Sequence, residues 1–233
     1  MEPNMTDELK PDFSMIIASA VHDMKNSLSM LLQSVEHMCD ELPDDWKQTH
    51  NTTTVKYEAE RVNSYLVQLL GLYRLQNKLL SLYVDEYFPN DILEEQVAHY
   101  ESMFRDKEIK LTISCDPNLA WYFDREIIIG VLNNALNNAS RYTKKKIEIS
   151  AEQEGSYLKI EIHDDGDGYP SALLEATPGD IINSINFQTG STSLGIYFAS
   201  MVTKLHKQGE RQGSIKLSNG GKFGGGVFTI LLP

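Results

Sequence analysis

Apolar residues recur at alternating intervals of four and three along the first part of the chain, from Ile17 through Val21, Met24, Leu28, Leu31, Val35, Met38 and Leu42. This is the spacing of a helix that packs in a bundle, and Pro43 predicts its end. After a polar stretch the same period returns at Val55, Ala59, Val62, Leu66, Leu69, Tyr73, Gln76, Leu80 and Tyr83. The two runs predict a helical hairpin.

Several leucines lie outside this seam, namely Leu70, Leu72, Leu75, Leu79 and Leu82. They leave more apolar surface than two helices can bury, so we expect a second copy of the chain to cover it. The pattern therefore predicts a homodimer built around a four-helix bundle.

Beyond about residue 86 the pattern changes to a mixture of helices and short alternating strands, which is typical of an α+β domain. Asn90 or Asp91 is predicted to cap a helix that runs to about Lys107, and a second helix is predicted over 125–142. The predicted strands cover 109–114, 147–151, 158–163, 214–218 and 227–232.

Residues 169–193 show no firm period and contain Pro170, Pro178, Gly179 and Gly190, a composition that would suit a mobile lid. We divide the chain into an N-terminal tail at 1–11, a helical hairpin at 12–86 and an α+β domain at 87–233.

Composition narrows the function classes. The chain has 233 residues and a net charge of −12, which argues against nucleic-acid binding because phosphate contacts need clustered Lys and Arg. No apolar run approaches the roughly 20 residues of a membrane span, and the polar, acidic start lacks the features of a signal peptide. We therefore expect no membrane segment, a cytoplasmic location, and an input signal that arrives from another chain or region.

Asn134 and Asn138 are four residues apart on a predicted helix, so their side chains project from one helical face. Their amide oxygens can hold Mg²⁺ carried by ATP, because magnesium keeps several waters and takes few protein ligands. Asn138 is the first-choice ligand.

Asp164 ends a predicted strand and is followed by Asp165-Gly166-Asp167-Gly168. A carboxylate there can accept a hydrogen bond from the exocyclic amine of adenine, and Gly166 and Gly168 allow the backbone to turn tightly beside the base. Taken alone, this pattern also fits an ordinary turn. With the two asparagines before it, the order indicates a nucleotide site.

His22 follows core position Val21 and is predicted to face outward, where a neutral imidazole can attack the γ-phosphorus of ATP. Asp23 is placed to orient the ring, and Asn26 lies one turn later on the same face. His37, on the same helix, has neither a following acid nor an amide four residues on.

Together these motifs resemble the core of a bacterial two-component sensor histidine kinase. The resemblance covers about residues 12–233, in the family's order: phosphoacceptor helix, second helix, asparagine box, aspartate–glycine box, lid end and a closing Gly-Gly-x-Phe strand. It implies an α/β sandwich ATP-binding domain, shared with chaperone and topoisomerase ATPases, that uses ATP and Mg²⁺.

The resemblance also implies residue roles. Its asparagine box is met by Asn134, Asn138, Ala139, Arg141 and Tyr142, and Arg141 would face phosphate. In the second glycine box only Leu194 and Gly195 remain, since Ser191 and Ser193 stand where related kinases carry glycine. Those serines restrict how closely the loop can wrap phosphate. Gly225, Gly226 and Phe228 match the closing strand, with packing as their expected role.

The implied reaction is phosphorylation of His22 by ATP, followed by transfer to an aspartate of a response-regulator receiver domain. Asp23 would accept the ring proton, and Asn26 would orient water for a phosphatase activity. The main alternative is a degenerate kinase-like histidine phosphotransferase or scaffold without ATP turnover, for which Ser191 and Ser193 are the evidence. A serine kinase would not need the His22 hairpin, and an ATP hydrolase would carry a water-activating Glu where Asn134 stands.

Overall fold

The computed structural model describes residues 13–41, 50–176 and 193–233. The chain divides into two compact units, with the division between Leu80 and Ser81. None of the described helices combines the length and the apolar character that a membrane span needs.

The first unit contains two long helices, α1 (Phe13–Glu41) and α2 (His50–Gln76), which contact each other. The second predicted helix was expected to continue to Tyr83, and this is wrong. Lys78 has a φ of 57°, the left-handed conformation that ends helices. The N–H of Lys78 donates to Leu75 O and that of Leu79 to Arg74 O, the two hydrogen bonds of a Schellman motif.

The apolar seam of this unit is only partly covered. Ala59 is buried, and Leu28, Val35, Leu66 and Tyr73 are half-buried. The alternate seam positions form an exposed row of Met24, Leu31, Met38, Val55, Val62 and Leu69. Leu70, one of the leucines expected to be left uncovered, is instead buried. The uncovered apolar surface therefore includes six of the described seam positions.

The second unit is built on a five-stranded sheet in the order β2-β4-β5-β9-β8. Its strands are β2 (Lys110–Cys115), β4 (Lys146–Glu154), β5 (Tyr157–Asp164), β8 (Ser214–Asn219) and β9 (Gly226–Leu232). Only β2 and β4 are parallel. The register places Ile149, Ile162 and Phe228 side by side, so alternate residues form one buried face.

Three helices cover this sheet, namely α3 (Pro89–Asp106), α4 (Arg125–Tyr142) and α6 (Ser193–Thr203). A short helix α5 (Ser171–Leu174) follows β5. The unit also contains two small antiparallel pairs: β1 (Asp85–Tyr87) with β3 (Trp121–Phe123), and β6 (Lys207–Gln208) with β7 (Arg211–Gln212).

The helix starts differ in how far they could be predicted. The expected helix over 125–142 is confirmed as α4. The expected cap at Asn90 or Asp91 is wrong, because α3 already begins at Pro89 and its N-cap position is Phe88, which makes no side-chain cap bond. Proline suits the first helical position, where its fixed φ is already helical and its missing N–H would have had no partner.

Asp124 holds the start of α4 through three hydrogen bonds. Its Oδ1 accepts from Ile127 N (3.1 Å), which caps the helix, and its Oδ2 accepts from Tyr83 N (2.8 Å). Its own N–H donates to Nε2 of His206 (3.0 Å). Both side chains are buried, so this node anchors the helix that carries Asn134 and Asn138.

Candidate nucleotide site

Asp164 lies at the carboxyl end of β5 and is 8% exposed. Its Oδ1 accepts two backbone hydrogen bonds, from Gly166 N (2.7 Å) and from Gly226 N (3.1 Å). No hydrogen bond between described residues ends on Oδ2. The carboxylate is thus fixed through one oxygen and leaves the other to accept from a ligand.

Three glycines make room for this carboxylate. A Cβ on Gly226 would lie 2.8 Å from Asp164 Oδ2, one on Gly225 would lie 2.6 Å from Gly166 N, and one on Gly166 would lie 2.9 Å from Asp164 Oδ1 and overlap the carbonyl of Tyr142. Real Cβ atoms do not approach other atoms so closely. Gly225 and Gly226, for which packing was the expected role, therefore also shape the Asp164 site.

Asp165 joins the same loop to the turn after α4. Its Oδ1 accepts from the backbone N–H groups of Lys144 and Lys145 (2.9 Å each). Burial raises the pKa of Asp165, but the backbone donors of Lys145, Lys146 and Lys144 together outweigh it, so its pKa lies below the ordinary value. Lys144 also pairs with Asp167 (2.6 Å). The lysine run thus helps to hold the aspartate–glycine loop.

Asn134 and Asn138 differ in accessibility. Asn134 is 6% exposed and lies against Gly195 of α6, where an added Cβ would come within 2.5 Å of the Asn134 Cγ. Asn138, one turn later, is half-buried. Amide oxygens suit Mg²⁺, and the greater exposure of Asn138 fits it better as the ligand.

Positive charge collects near the end of α4. Arg141 is half-buried and Tyr142 is exposed. Lys107 donates to the carbonyl of Ser140 (3.0 Å), and its pKa is lowered by burial and by the charge of Arg141. Two cations in this position could attract phosphate.

The predicted phosphoacceptor residues lie in the first unit. His22, Asp23 and Asn26 are all in α1, and the side chains of Asp23 and Asn26 are exposed. The side chain of His22 lies outside the described part of the structure. Of the second glycine box, Leu194 is half-buried and Gly195 is buried. Ser191, the Ser193 side chain and residues 177–192 of the predicted lid lie outside the described residues.

Comparison with known proteins shows which families and folds the chain resembles. Residues 123–233 match the family described as histidine kinase-, DNA gyrase B-, and HSP90-like ATPase. The sensor protein SrrB of Staphylococcus aureus is 27% identical over 236 residues, which cover 97% of this chain and 38% of SrrB. The chain therefore spans well under half of that relative.

The solved structures that share the fold include two histidine kinases. The histidine kinase AdeS of Acinetobacter baumannii has a TM-score of 0.59 at 22% identity, covering 91% of this chain and 96% of AdeS. The structure of the histidine kinase ThkA in complex with the response regulator TrrA has a TM-score of 0.57 at 20% identity. The match covers 93% of this chain and 60% of the ThkA chain. The predicted resemblance to a two-component histidine kinase core and the α/β fold of its ATPase domain are confirmed.

Proposed function

We propose that this chain is the catalytic core of a histidine kinase, which uses ATP to phosphorylate His22. The observation that carries the proposal is the fixed carboxylate of Asp164, with one oxygen held by Gly166 and Gly226 and the other left for a ligand. An oxygen in this position can accept from the amine of adenine. It would reject guanine, which has a carbonyl acceptor there.

The phosphate end of the nucleotide is assigned to α4 and α6. Asn138, with Asn134 as the second candidate, would hold Mg²⁺, which when bound offsets the charge of the phosphates. Arg141 would face a phosphate, Tyr142 would flank the site, and the backbone of Leu194 and Gly195 would approach the phosphates near the start of α6.

In the proposed reaction a ring nitrogen of His22 forms a bond to the γ-phosphorus, and the bond from that phosphorus to the β–γ bridging oxygen breaks. ADP leaves, and Asp23 takes the proton from the other ring nitrogen. The phosphoryl group then passes to a carboxylate oxygen of a receiver aspartate as its bond to the ring nitrogen breaks, and the proton returns from Asp23 to the imidazole. Asn26 is assigned to orienting water when the receiver is dephosphorylated.

The receiver partner is supported by the solved complex of ThkA with a response regulator. A homodimer is supported by the exposed row on α1 and α2, because a second copy could cover it. Since ATP and receiver domains are supplied by the cytoplasm, the proposed reaction takes place there.

The alternative is a histidine phosphotransferase that no longer turns over ATP. It would accept phosphate at His22 from a phosphorylated receiver but would not label itself from ATP. The buried Asp164, its glycine surroundings and the ATPase family match favour the kinase.

Calorimetric titration with ATP and Mg²⁺ tests the nucleotide site. Wild type should bind, and Asp164→Asn should weaken binding by about 1–3 kcal/mol, because a buried acceptor is replaced by a group that must flip to accept. Asp116→Asn, in the exposed turn after β2, is the matched control and should bind like wild type. Absence of heat with wild type at millimolar ATP would contradict the proposal.

A further inference from the structure

The loop that follows Asp164 is held on the side of β8 by the side-chain amide of Asn219. Asn219, the last residue of β8, accepts the N–H of Tyr169 at Oδ1 (2.7 Å) and donates from Nδ2 to the carbonyl of Tyr169 (2.9 Å). One side chain thus pairs with both backbone groups of one residue, as a neighbouring strand would. Two such bonds fix the position of the Tyr169 backbone more firmly than one.

Gly168 is shaped to this clamp. Its φ is 79°, which favours glycine, and a Cβ there would lie 2.6 Å from Asn219 Oδ1 and 2.7 Å from Asn219 Cγ. A side chain at Gly168 would therefore displace the Asn219 amide. The second glycine of the motif, expected to approach the base, is also required by Asn219.

The same residue reaches Asp164 by a second route. The backbone of Asn219 is paired with Gly226 across the β8–β9 ladder, and Gly226 N–H donates to Asp164 Oδ1 (3.1 Å). Asn219 thus contacts one support of the carboxylate through its backbone and the loop beyond it through its side chain.

Tyr169 connects the clamp to the carboxylate. A Cβ on Gly226 would lie 3.0 Å from Cε2 of the Tyr169 ring and 2.8 Å from Asp164 Oδ2, so the ring and the carboxylate oxygen approach the same point. Burial, and then the charge of Asp164, raise the pKa of Tyr169. The same charge effect is consistent with the geometry, which places the ring close to the carboxylate.

We infer that Asn219 is a positioning residue of the nucleotide site: by clamping the backbone of Tyr169 it fixes that ring beside Asp164 and so sets the preference for adenine over guanine. This rests on the proposed function, in which Asp164 reads adenine. A ring held at one place limits where the base can lie, and the base must meet Asp164 Oδ2 with its amine. With the clamp released, the loop can shift and a guanine can be accommodated with less penalty.

The test compares the affinities of the full chain for Mg-ATP and Mg-GTP in wild type, Asn219→Ala, Asn219→Asp and Asn118→Ala. Loss of both hydrogen bonds in Asn219→Ala should weaken ATP binding about tenfold. GTP binding should change less, so the preference for ATP should fall about fivefold. Asn219→Asp keeps the acceptor for Tyr169 N–H and loses the donor, and should give an intermediate preference.

Asn118 is the matched control, because in the described part of the chain its side-chain amide bonds within its own turn, to Asp116 (3.3 Å). Asn118→Ala should leave the preference for ATP unchanged. Amide hydrogen exchange at Tyr169 should be faster in Asn219→Ala than in wild type or Asn118→Ala, since that N–H loses its partner.

The outcomes separate this inference from the proposed function. If wild type prefers ATP and Asn219→Ala keeps the same preference while its melting temperature falls, Asn219 is merely structural and the inference is overturned. If wild type binds neither nucleotide, both the proposed function and the inference fail. Should Asn219→Ala not fold, the intermediate preference expected of Asn219→Asp decides the matter alone.

Discussion

The two units of the chain bury their apolar residues to different extents. In the second unit, Leu132 on α4 and Ile147 on β4 are fully buried at 0% exposure. On α1 and α2 the exposed row remains open, with Leu31 52% exposed. A sheet covered by three helices closes a core within one chain, whereas two helices share only one line of contact. Regular apolar spacing therefore predicts burial, but not whether the same chain provides it.

Among the described residues, buried polar groups lie mainly in the second unit. Asp124, Asp164 and His206 all have low exposure, and each is bonded to backbone N–H groups. Burying such groups is costly unless they have partners. The second unit thus combines a closed apolar core with a few polar groups held in place, which is the arrangement that a binding site requires.

The largest expected effect comes from a substitution in the core of the second unit, which should leave the first unit unchanged. Leu132→Ala should lower the free energy of unfolding of the second unit by about 2–5 kcal/mol, through lost burial and the cavity left behind. Leu31→Ala should leave that unfolding transition unchanged and weaken self-association instead. Denaturant unfolding and light scattering measure the two. Equal destabilisation of the second unit by both substitutions would contradict the contrast.

The next largest effect tests whether the close packing of α6 against α4 is required at the nucleotide site. Gly195→Ala should cost about 1–3 kcal/mol through overpacking against Asn134 and should weaken Mg-ATP binding. Gly130→Ala, in α4, is the matched control because an added Cβ meets nothing within 4 Å. It should stabilise by up to about 1 kcal/mol through helix propensity. If both variants behave alike in binding and unfolding, the packing of Gly195 on Asn134 is not important.

The smallest effect concerns the buried node at Asp124. Burial lowers the pKa of His206 below its ordinary value of 6.5, although Asp124 and the carbonyls of Thr203 and Val202 oppose this. The unfolded chain then binds more protons than the folded one below about pH 6.5. Stability should therefore fall as the pH falls through that range and be retained above it.

His206→Gln offers an acceptor to the Asp124 N–H and does not titrate. Thermal unfolding of the variant should lose less stability than wild type between about pH 7 and pH 5. Parallel pH profiles for the two proteins would show that His206 does not titrate differently on folding.

The sequence predicted local features well where one pattern carried them. The bounds of α4 follow from its uninterrupted apolar period, and the strands lie within a few residues of their predicted ranges. Asp164, Gly166 and Gly168 were recognised because their spacing is itself the motif. The turn after α2 was missed because Lys78 is not a residue type that signals a left-handed helix end.

The remaining site residues depend on strand register, which a single sequence does not reveal. Gly226 and Asn219 act on the aspartate–glycine loop because β9 pairs with both β5 and β8. They are more than 50 residues away from Asp164 along the chain, and no local spacing connects them to it. The Gly-Gly pair at the start of the last predicted strand is a signal in the sequence that this strand could pack closely against an acidic strand end such as Asp164.

Phosphoryl transfer from labelled ATP tests the central claim most directly. With Mg²⁺, the full chain should acquire an acid-labile, base-stable label, as a phosphoramidate does. His22→Gln should abolish the label, and His37→Gln, on the same helix, should retain it. A wild-type chain that binds ATP but never becomes labelled, or a label that persists in His22→Gln, would contradict the account.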